Sequence, residues 1–160
     1  MVLSSDTLHH RYMLSQLQKI NYVCLSTIFE TSQIQAPFKT GPVFDNEENV
    51  FEQDLFGRLS IKELPTVTVA DINSPESQST IAKFQPDLGI VFGTKRLSEK
   101  IIDLFPRGLL NVHRGIAQKY RGLDSDLWAI YHRDYESIGT TIHRVDSTLD
   151  TGDIIAQRTL

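Results

Sequence analysis

The run Asp87-Leu88-Gly89-Ile90-Val91-Phe92-Gly93 decides how this chain is read, together with Gly108-Leu109-Leu110-Asn111-Val112-His113 further on. Both are continuously apolar, which is the pattern of strands covered on both faces of a parallel sheet. Between them Ser98 stands where a helix cap belongs, and Ile101, Ile102, Leu104 and Phe105 follow as the helix's apolar side. A buried strand, a helix and a second buried strand make a βαβ unit.

The same alternation extends outward. Thr66-Val67-Thr68-Val69-Ala70 reads as a strand, and Ser74-Pro75-Glu76 supplies an N-cap, a proline at the first helical position and a first-turn acid. Tyr22 to Phe29 predicts a strand rich in β-branched and aromatic residues, and Val2-Leu3 a very short one. Ser5 or Asp6 can cap a helix in which Leu8, Tyr12 and Leu17 share a face beside Met13 and Leu14. Residues 30–59 are the least legible. Pro37, Gly41-Pro42 and the run Asp45-Asn46-Glu47-Glu48 predict loop, with a helix from Asn49 to Arg58 around Phe51, Leu55 and Phe56. Downstream, Ser125 to Tyr135 reads as a helix with Leu127, Ile130 and Tyr131 on one face. Thr140 to Val145 and Asp153 to Leu160 read as two strands joined by the turn Leu149-Asp150-Thr151-Gly152. The expected fold is α/β: a doubly wound, mostly parallel, Rossmann-like sheet with an antiparallel closing strand pair. Ligands of such sheets sit beyond the carboxyl ends of the strands. That points to Phe92-Gly93-Thr94 and Asn111-Val112-His113.

At 160 residues the chain fits one domain. A net charge of −4 argues against a nucleic-acid or anionic-membrane surface, which needs clustered Lys and Arg. The single Cys24 cannot close an intramolecular disulfide, and no Cys/His cluster has zinc spacing, the pair His9-His10 included; no metal is expected. The uncharged stretch Asn21 to Phe29 is too short to span a bilayer, and Met1 to Asp6 lacks the features of a signal peptide. The expectation is a cytoplasmic protein with no membrane partner.

Several chemistries are excluded by what is missing. The first glycine is Gly41, so the first strand-helix turn carries no G-x-G-x-x-G, and there is no G-x-x-x-x-G-K-[ST] loop. No G-x-S-x-G elbow occurs and Cys24 sits inside a predicted strand, which argues against a Ser or Cys nucleophile. His, carboxylate and amide groups remain. Asn111 and His113 are two apart on one strand and share a face. Asp150 follows in the turn Ser147 to Asp153. Singly, each has a plain structural use: a strand-end Asn or His bonds a loop backbone, and an Asp before Thr-Gly builds a turn. They inform as a set.

That set is carried by Pro86-Asp87-Leu88 to Gly93, Leu109-Leu110-Asn111-Val112-His113, Tyr120-Arg121-Gly122, Ile138-Gly139-Thr140-Thr141-Ile142-His143 and Leu149-Asp150-Thr151-Gly152-Asp153-Ile154-Ile155. Over most of residues 86–157 the order and spacing resemble the formyltransferase catalytic domain, the fold shared by glycinamide ribonucleotide, methionyl-tRNA and sugar N-formyltransferases. The resemblance implies that residues 1–160 are such a catalytic domain, with Asn111, His113 and Asp150 as its catalytic residues. It implies 10-formyltetrahydrofolate as formyl donor, its pterin in a slot formed by Phe92, Gly93, Thr94 and Leu97 with the loop from Asp146 through Leu149 to Asp150. Asn111 and a protonated His113 would face the oxyanion, and Asp150 would favour the imidazolium and relay the amine's proton through water.

The loop Arg114-Gly115-Ile116-Ala117-Gln118-Lys119 departs from the Pro- and Ser-containing segment that follows the His in relatives, near the acceptor. The implied partner is a small-molecule amine. Arg114, Lys119 and Arg121 would suit a phosphorylated or nucleotide-linked one, although a solvated loop explains them too. The net charge, the differing loop and the lack of a following RNA-binding appendage favour an amino sugar over tRNA. A formyltetrahydrofolate hydrolase would need the same three residues, and a catalytically silent folate- or nucleotide-binding module is the non-enzymatic alternative. His132 and His143 read as a helix-surface and a strand residue. Relatives continue beyond the point corresponding to Leu160, so the chain reads as truncated at its C-terminus.

Overall fold

A computed structural model describes residues 1–20, 25–32, 45–58 and 62–160. In chain order the elements are β1 (Val2–Ser5), α1 (Leu8–Leu17), β2 (Thr27–Glu30), α2 (Asp45–Phe56), β3 (Thr66–Val69), α3 (Pro75–Phe84), β4 (Gly89–Phe92), α4 (Glu99–Ile102), β5 (Leu109–Arg114), α5 (Ser125–Tyr131), a 3-10 turn (Tyr135–Ser137), β6 (Gly139–Arg144) and β7 (Ile154–Thr159). The strands form one sheet in the order β3-β2-β1-β4-β5-β6-β7. The first five are parallel. β6 and β7 close the sheet antiparallel. The winding reverses between β1 and β4, which opens a crevice at their carboxyl ends.

Continuous apolar strands are explained by two cores, one on each face. Leu3, Ile28, Val91 and Leu109 meet Ile72, Ile81, Ile101 and Phe105. The neighbouring Val2, Phe29 and Ile90 point the other way, toward Leu14, Met13 and Leu17 of α1. The predicted α3 start holds: the Ser74 hydroxyl accepts from the Ser77 N–H at 3.1 Å, and Pro75 opens the helix. Ser98 caps α4 by position, but its side chain makes no capping bond.

Some boundaries and faces differ from the sequence expectation. The cap of α1 is Thr7, because Ser5 still belongs to β1 and Asp6 is drawn into an ion pair with Arg11. The buried face of α1 is His10, Leu14 and Ser15, while Tyr12 is turned outward against Phe56 of α2. Of the strand expected over Tyr22 to Phe29, only Thr27–Phe29 are in β2; Tyr22 to Cys24 lie outside the described residues, as does the loop around Pro37, Gly41 and Pro42. α2 begins at Asp45, earlier than expected, and Phe51 and Leu55 are exposed. α5 stops at Tyr131, before Arg133 adopts φ +59°. It buries Ser125 and Ala129 and exposes Ile130 and Tyr131, so small residues let it lie close and the larger ones point outward.

No helix of the described residues is long and apolar enough to cross a membrane. Leu3 is fully buried at the centre of the sheet. Leu3→Ala should therefore cost about 2–5 kcal/mol of unfolding free energy, measured by denaturant titration, with a circular dichroism spectrum that retains its shape.

Candidate active site

β5 and β6 pair so that Asn111 faces His143 and His113 faces Thr141. The antiparallel register puts each pair on one face of the sheet. Asp150 reaches that face from the turn before β7, with φ +52°, a conformation that Asn and Asp tolerate best among residues with a side chain. Its carboxylate is enclosed by donors. Oδ1 lies 3.0 Å from the Asn111 amide nitrogen and 3.3 Å from His143 Nε2. Oδ2 accepts the Gly122 N–H at 2.7 Å and lies 3.4 Å from His113 Nδ1. The side chains of Asp150, His113 and His143 are only 7%, 5% and 3% exposed.

The outer ring nitrogens fix the tautomers. His113 Nε2 donates to the Tyr120 carbonyl at 2.8 Å, and His143 Nδ1 donates to the Arg144 carbonyl at 2.8 Å. A carbonyl only accepts, so both nitrogens carry protons. The segment Tyr120-Arg121-Gly122 thus holds two members of the cluster through its backbone, and Gly122 does so at φ +78°. The hydroxyl of buried Thr141 accepts from the Ala117 N–H and donates to the Gly115 carbonyl, anchoring the loop after His113.

Electrostatics follow from this geometry. For Asp150, burial pushes the carboxyl pKa up, but the His143 hydrogen bond, the Gly122 N–H and the His113 charge outweigh it, and the net direction is down. The His143 pKa is raised, chiefly by its hydrogen bond to Asp150, against the effect of burial.

A cavity of about 550 Å³ opens over the cluster. Asn111, His113 and Asp150 line it together with His9, His10 and Phe92. His10 is buried, with its ring centroid 4.5 Å from that of Phe92. Burial, followed by the neighbouring His9 and Arg114, lowers its pKa to about 3, so its ring is neutral. It packs so closely on Gly93 that a Cβ there would lie 2.2 Å from Nε2, and Gly93 itself has φ +72°. His10 carried no sequence signal beyond its position after β1; the polar residue on an apolar helix face was the available clue.

The residues expected around the donor are spread over two places. Phe92, Gly93, Thr94 and Leu149 line the large cavity. Leu97 and Asp146 line a neighbouring one of about 70 Å³, where Leu97 also belongs to the core and Asp146 folds its own turn by accepting from the Thr148 N–H. The Thr94–Leu97 segment is held from beneath by Glu30, a buried carboxylate that accepts from the backbone N–H groups of Ile72 (3.1 Å) and Lys95 (3.2 Å). In the basic loop, Arg114 is paired with Asp126 at 2.8 Å and Lys119 with Asp134 at 3.2 Å, while Arg121 donates to the Ala117 carbonyl.

Comparison with known proteins identifies the family and the fold. The formyl transferase family model matches residues 42–160. A methionyl-tRNA formyltransferase from Desulfotalea psychrophila is 35% identical over 96 residues, 59% of this chain and 29% of that protein. The match thus spans less than a third of that relative's length. Among solved structures, a phosphoribosylglycinamide formyltransferase from Bacillus halodurans is similar with a TM-score of 0.68 at 18% identity, over 99% of this chain and 77% of that one. A Mycobacterium tuberculosis protein assigned as a sugar N-formyltransferase gives 0.62 at 22% identity, over 99% and 53%. At these identities the two structures show the fold.

The pKa directions set a pH dependence. Stability from the lowered Asp150 pKa is present above its ordinary value of 3.8 and is lost as pH falls through the folded value. Stability from the raised His143 pKa is present below 6.5 and is lost as pH rises through the folded value. Both contributions are whole only between those ordinary values. Asp150→Asn keeps the turn, because Asn tolerates the same backbone. It should lower the His143 pKa, read from the ring proton shifts by NMR, and flatten the pH dependence of stability. A residue that only builds a turn would leave both unchanged.

Proposed function

Because the chain belongs to the formyl transferase family, we propose that it transfers the formyl group of 10-formyltetrahydrofolate to the amine of a small acceptor, an amino sugar. One observation carries this reading: Asn111, His113 and Asp150, drawn from β5 and a distant turn, meet on one wall of a cavity large enough for a flat ring system.

The acceptor nitrogen attacks the formyl carbon, the carbonyl becomes an oxyanion, and collapse breaks the bond to the folate nitrogen. The acceptor nitrogen loses one proton and the leaving folate nitrogen gains one. Asn111 supplies an N–H donor, a contribution of about 2.7–4 kcal/mol to the barrier where such a donor is deleted. His113 places positive charge beside the same carbon. In the arrangement described, its Nε2 is given to the Tyr120 carbonyl, so direct donation to the oxyanion requires exchanging that carbonyl for substrate. Asp150, held ionised, is the base through which water relays the proton. Its ionisation is what the two imidazoles and the Gly122 N–H secure.

The acceptor class rests on the aromatic residues of the cavity lining and on charge. His9, His10 and Phe92 present an aromatic face of the kind on which a sugar ring packs, and His10 is neutral there. In the basic loop Arg114 and Lys119 are paired with Asp126 and Asp134, while Arg121 donates to a backbone carbonyl. The single Cys24 and a reduced-folate donor suit the cytoplasm.

The test is incubation with 10-formyltetrahydrofolate and, separately, nucleotide-linked amino sugars, glycinamide ribonucleotide and methionyl-tRNA, with products followed by mass spectrometry. Formylated amino sugar is the expected product, whereas steady formate release without any amine would mark a hydrolase. Asn111→Ala should lower kcat by about 10²–10³ with a smaller change in donor KM, since an oxyanion contact strengthens in the transition state. His113→Ala should lose most transfer while its melting temperature shows a folded protein.

A further inference from the structure

His143 ends the motif stretch Ile138–His143 without being one of the three residues expected to be catalytic, yet it shares a contact triangle with Asn111 and Asp150. The Asn111 amide nitrogen, Asp150 Oδ1 and His143 Nε2 stand 3.0, 3.2 and 3.3 Å apart. The amide nitrogen can only donate and the carboxylate oxygen can only accept. Nε2 can do either, depending on its proton. His143 Nδ1 already carries a proton, because it faces the Arg144 carbonyl.

In the neutral ring Nε2 is therefore a bare lone pair. It faces the Asp150 oxygen unfavourably and competes with it for the Asn111 N–H. In the protonated ring Nε2 donates to Asp150, and the triangle holds two donors and one acceptor. The Asn111 amide then has a single arrangement, with one N–H on Asp150. The two amide protons diverge by about 120°, the trigonal geometry of the group, whereas the corners of a near-equilateral triangle subtend half that angle. The second N–H must point out of the triangle, and Asn111 lines the cavity.

We propose that His143 is a positioning residue whose Nε2 proton locks the Asn111 amide onto Asp150 and so aims the second Asn111 N–H at the reacting carbonyl. The role rests on the formyl-transfer reading for its consequence and on the triangle for its existence. Of the charged and titratable groups facing His143 among the described residues, the two carboxylates favour its proton. Asp150 does so from the turn before β7 and Asp146 from the end of β6, while His113 on β5 stands with its ring centroid 6.3 Å away.

The experiment uses ¹⁵N-labelled full chain. In the wild type, the Asn111 side-chain amide signals should shift with pH at the midpoint of the His143 ring. In His143→Gln, which keeps a donor toward Asp150 but does not titrate, that step should vanish. The same variant should lose the alkaline limb of the kcat profile that follows His143. His143→Ala, which leaves Asp150 without that donor, should lower kcat about tenfold even below that limb, with donor KM changed less than about twofold. Wild-type Asn111 signals that ignore the His143 midpoint, or a step that persists in His143→Gln, would overturn the role and assign the shift to His113 or Asp150. A coupled Asn111 step with no formyl transfer to any amine overturns the functional reading and leaves the positioning role standing.

Discussion

A carboxylate almost removed from water has to be given donors, and the site depends on how Asp150 receives them. Burying an ionised carboxyl without partners costs several kcal/mol or neutralises the group. Asp150 is instead met by an amide, a backbone N–H and two imidazoles, from β5, β6 and the Tyr120–Gly122 segment. Each imidazole is fixed by a second bond of its own: His113 by the Tyr120 carbonyl, His143 by the Arg144 carbonyl. The charge is therefore distributed over rigid elements, and it costs little reorganisation when a reaction develops charge beside it.

The sheet makes that convergence possible. A wholly parallel arrangement would bring strand ends together but not side chains from paired positions of opposite sense. Because β6 runs back along β5, His143 falls directly across from Asn111 and Thr141 across from His113. One register thus sets the cluster and anchors the Gly115–Ala117 loop through the Thr141 hydroxyl. A slip of β6 by one residue would turn His143 and Thr141 to the other face and leave Asn111 and His113 without them.

Much of this was legible because the signals were local. Continuous apolar runs gave β4 and β5, Ser74-Pro75 gave the start of α3, and two residues of spacing put Asn111 and His113 on one face. What was missed depended on tertiary contacts. His143 looked like any strand residue until the β5–β6 register placed it against Asn111. His10 occupies a core-facing position of α1 because Phe92 and Gly93 shelter its ring, and no helical periodicity weights a histidine that way. Ile130 and Tyr131 fitted an apolar stripe that α5 does not bury, since the small Ser125 and Ala129 allow the closer approach.

The two sides of the crevice use the same device independently. Glu30, at the end of β2, collects the Ile72 and Lys95 N–H groups and so fixes the segment after β4. Asp150, in the turn before β7, collects the Gly122 N–H and fixes the segment after β5. Each buried carboxylate ties a loop whose backbone would otherwise need water, and neither shares a partner with the other. The two walls nevertheless meet: the Arg96 guanidinium donates to the Ser147 carbonyl, and Thr94 and Leu97 line one small cavity with Asn111, His143 and Asp150. Neighbouring sites of this kind couple rather than add, so reshaping the Thr94–Leu97 wall to admit a different ring is felt by the charge cluster across it.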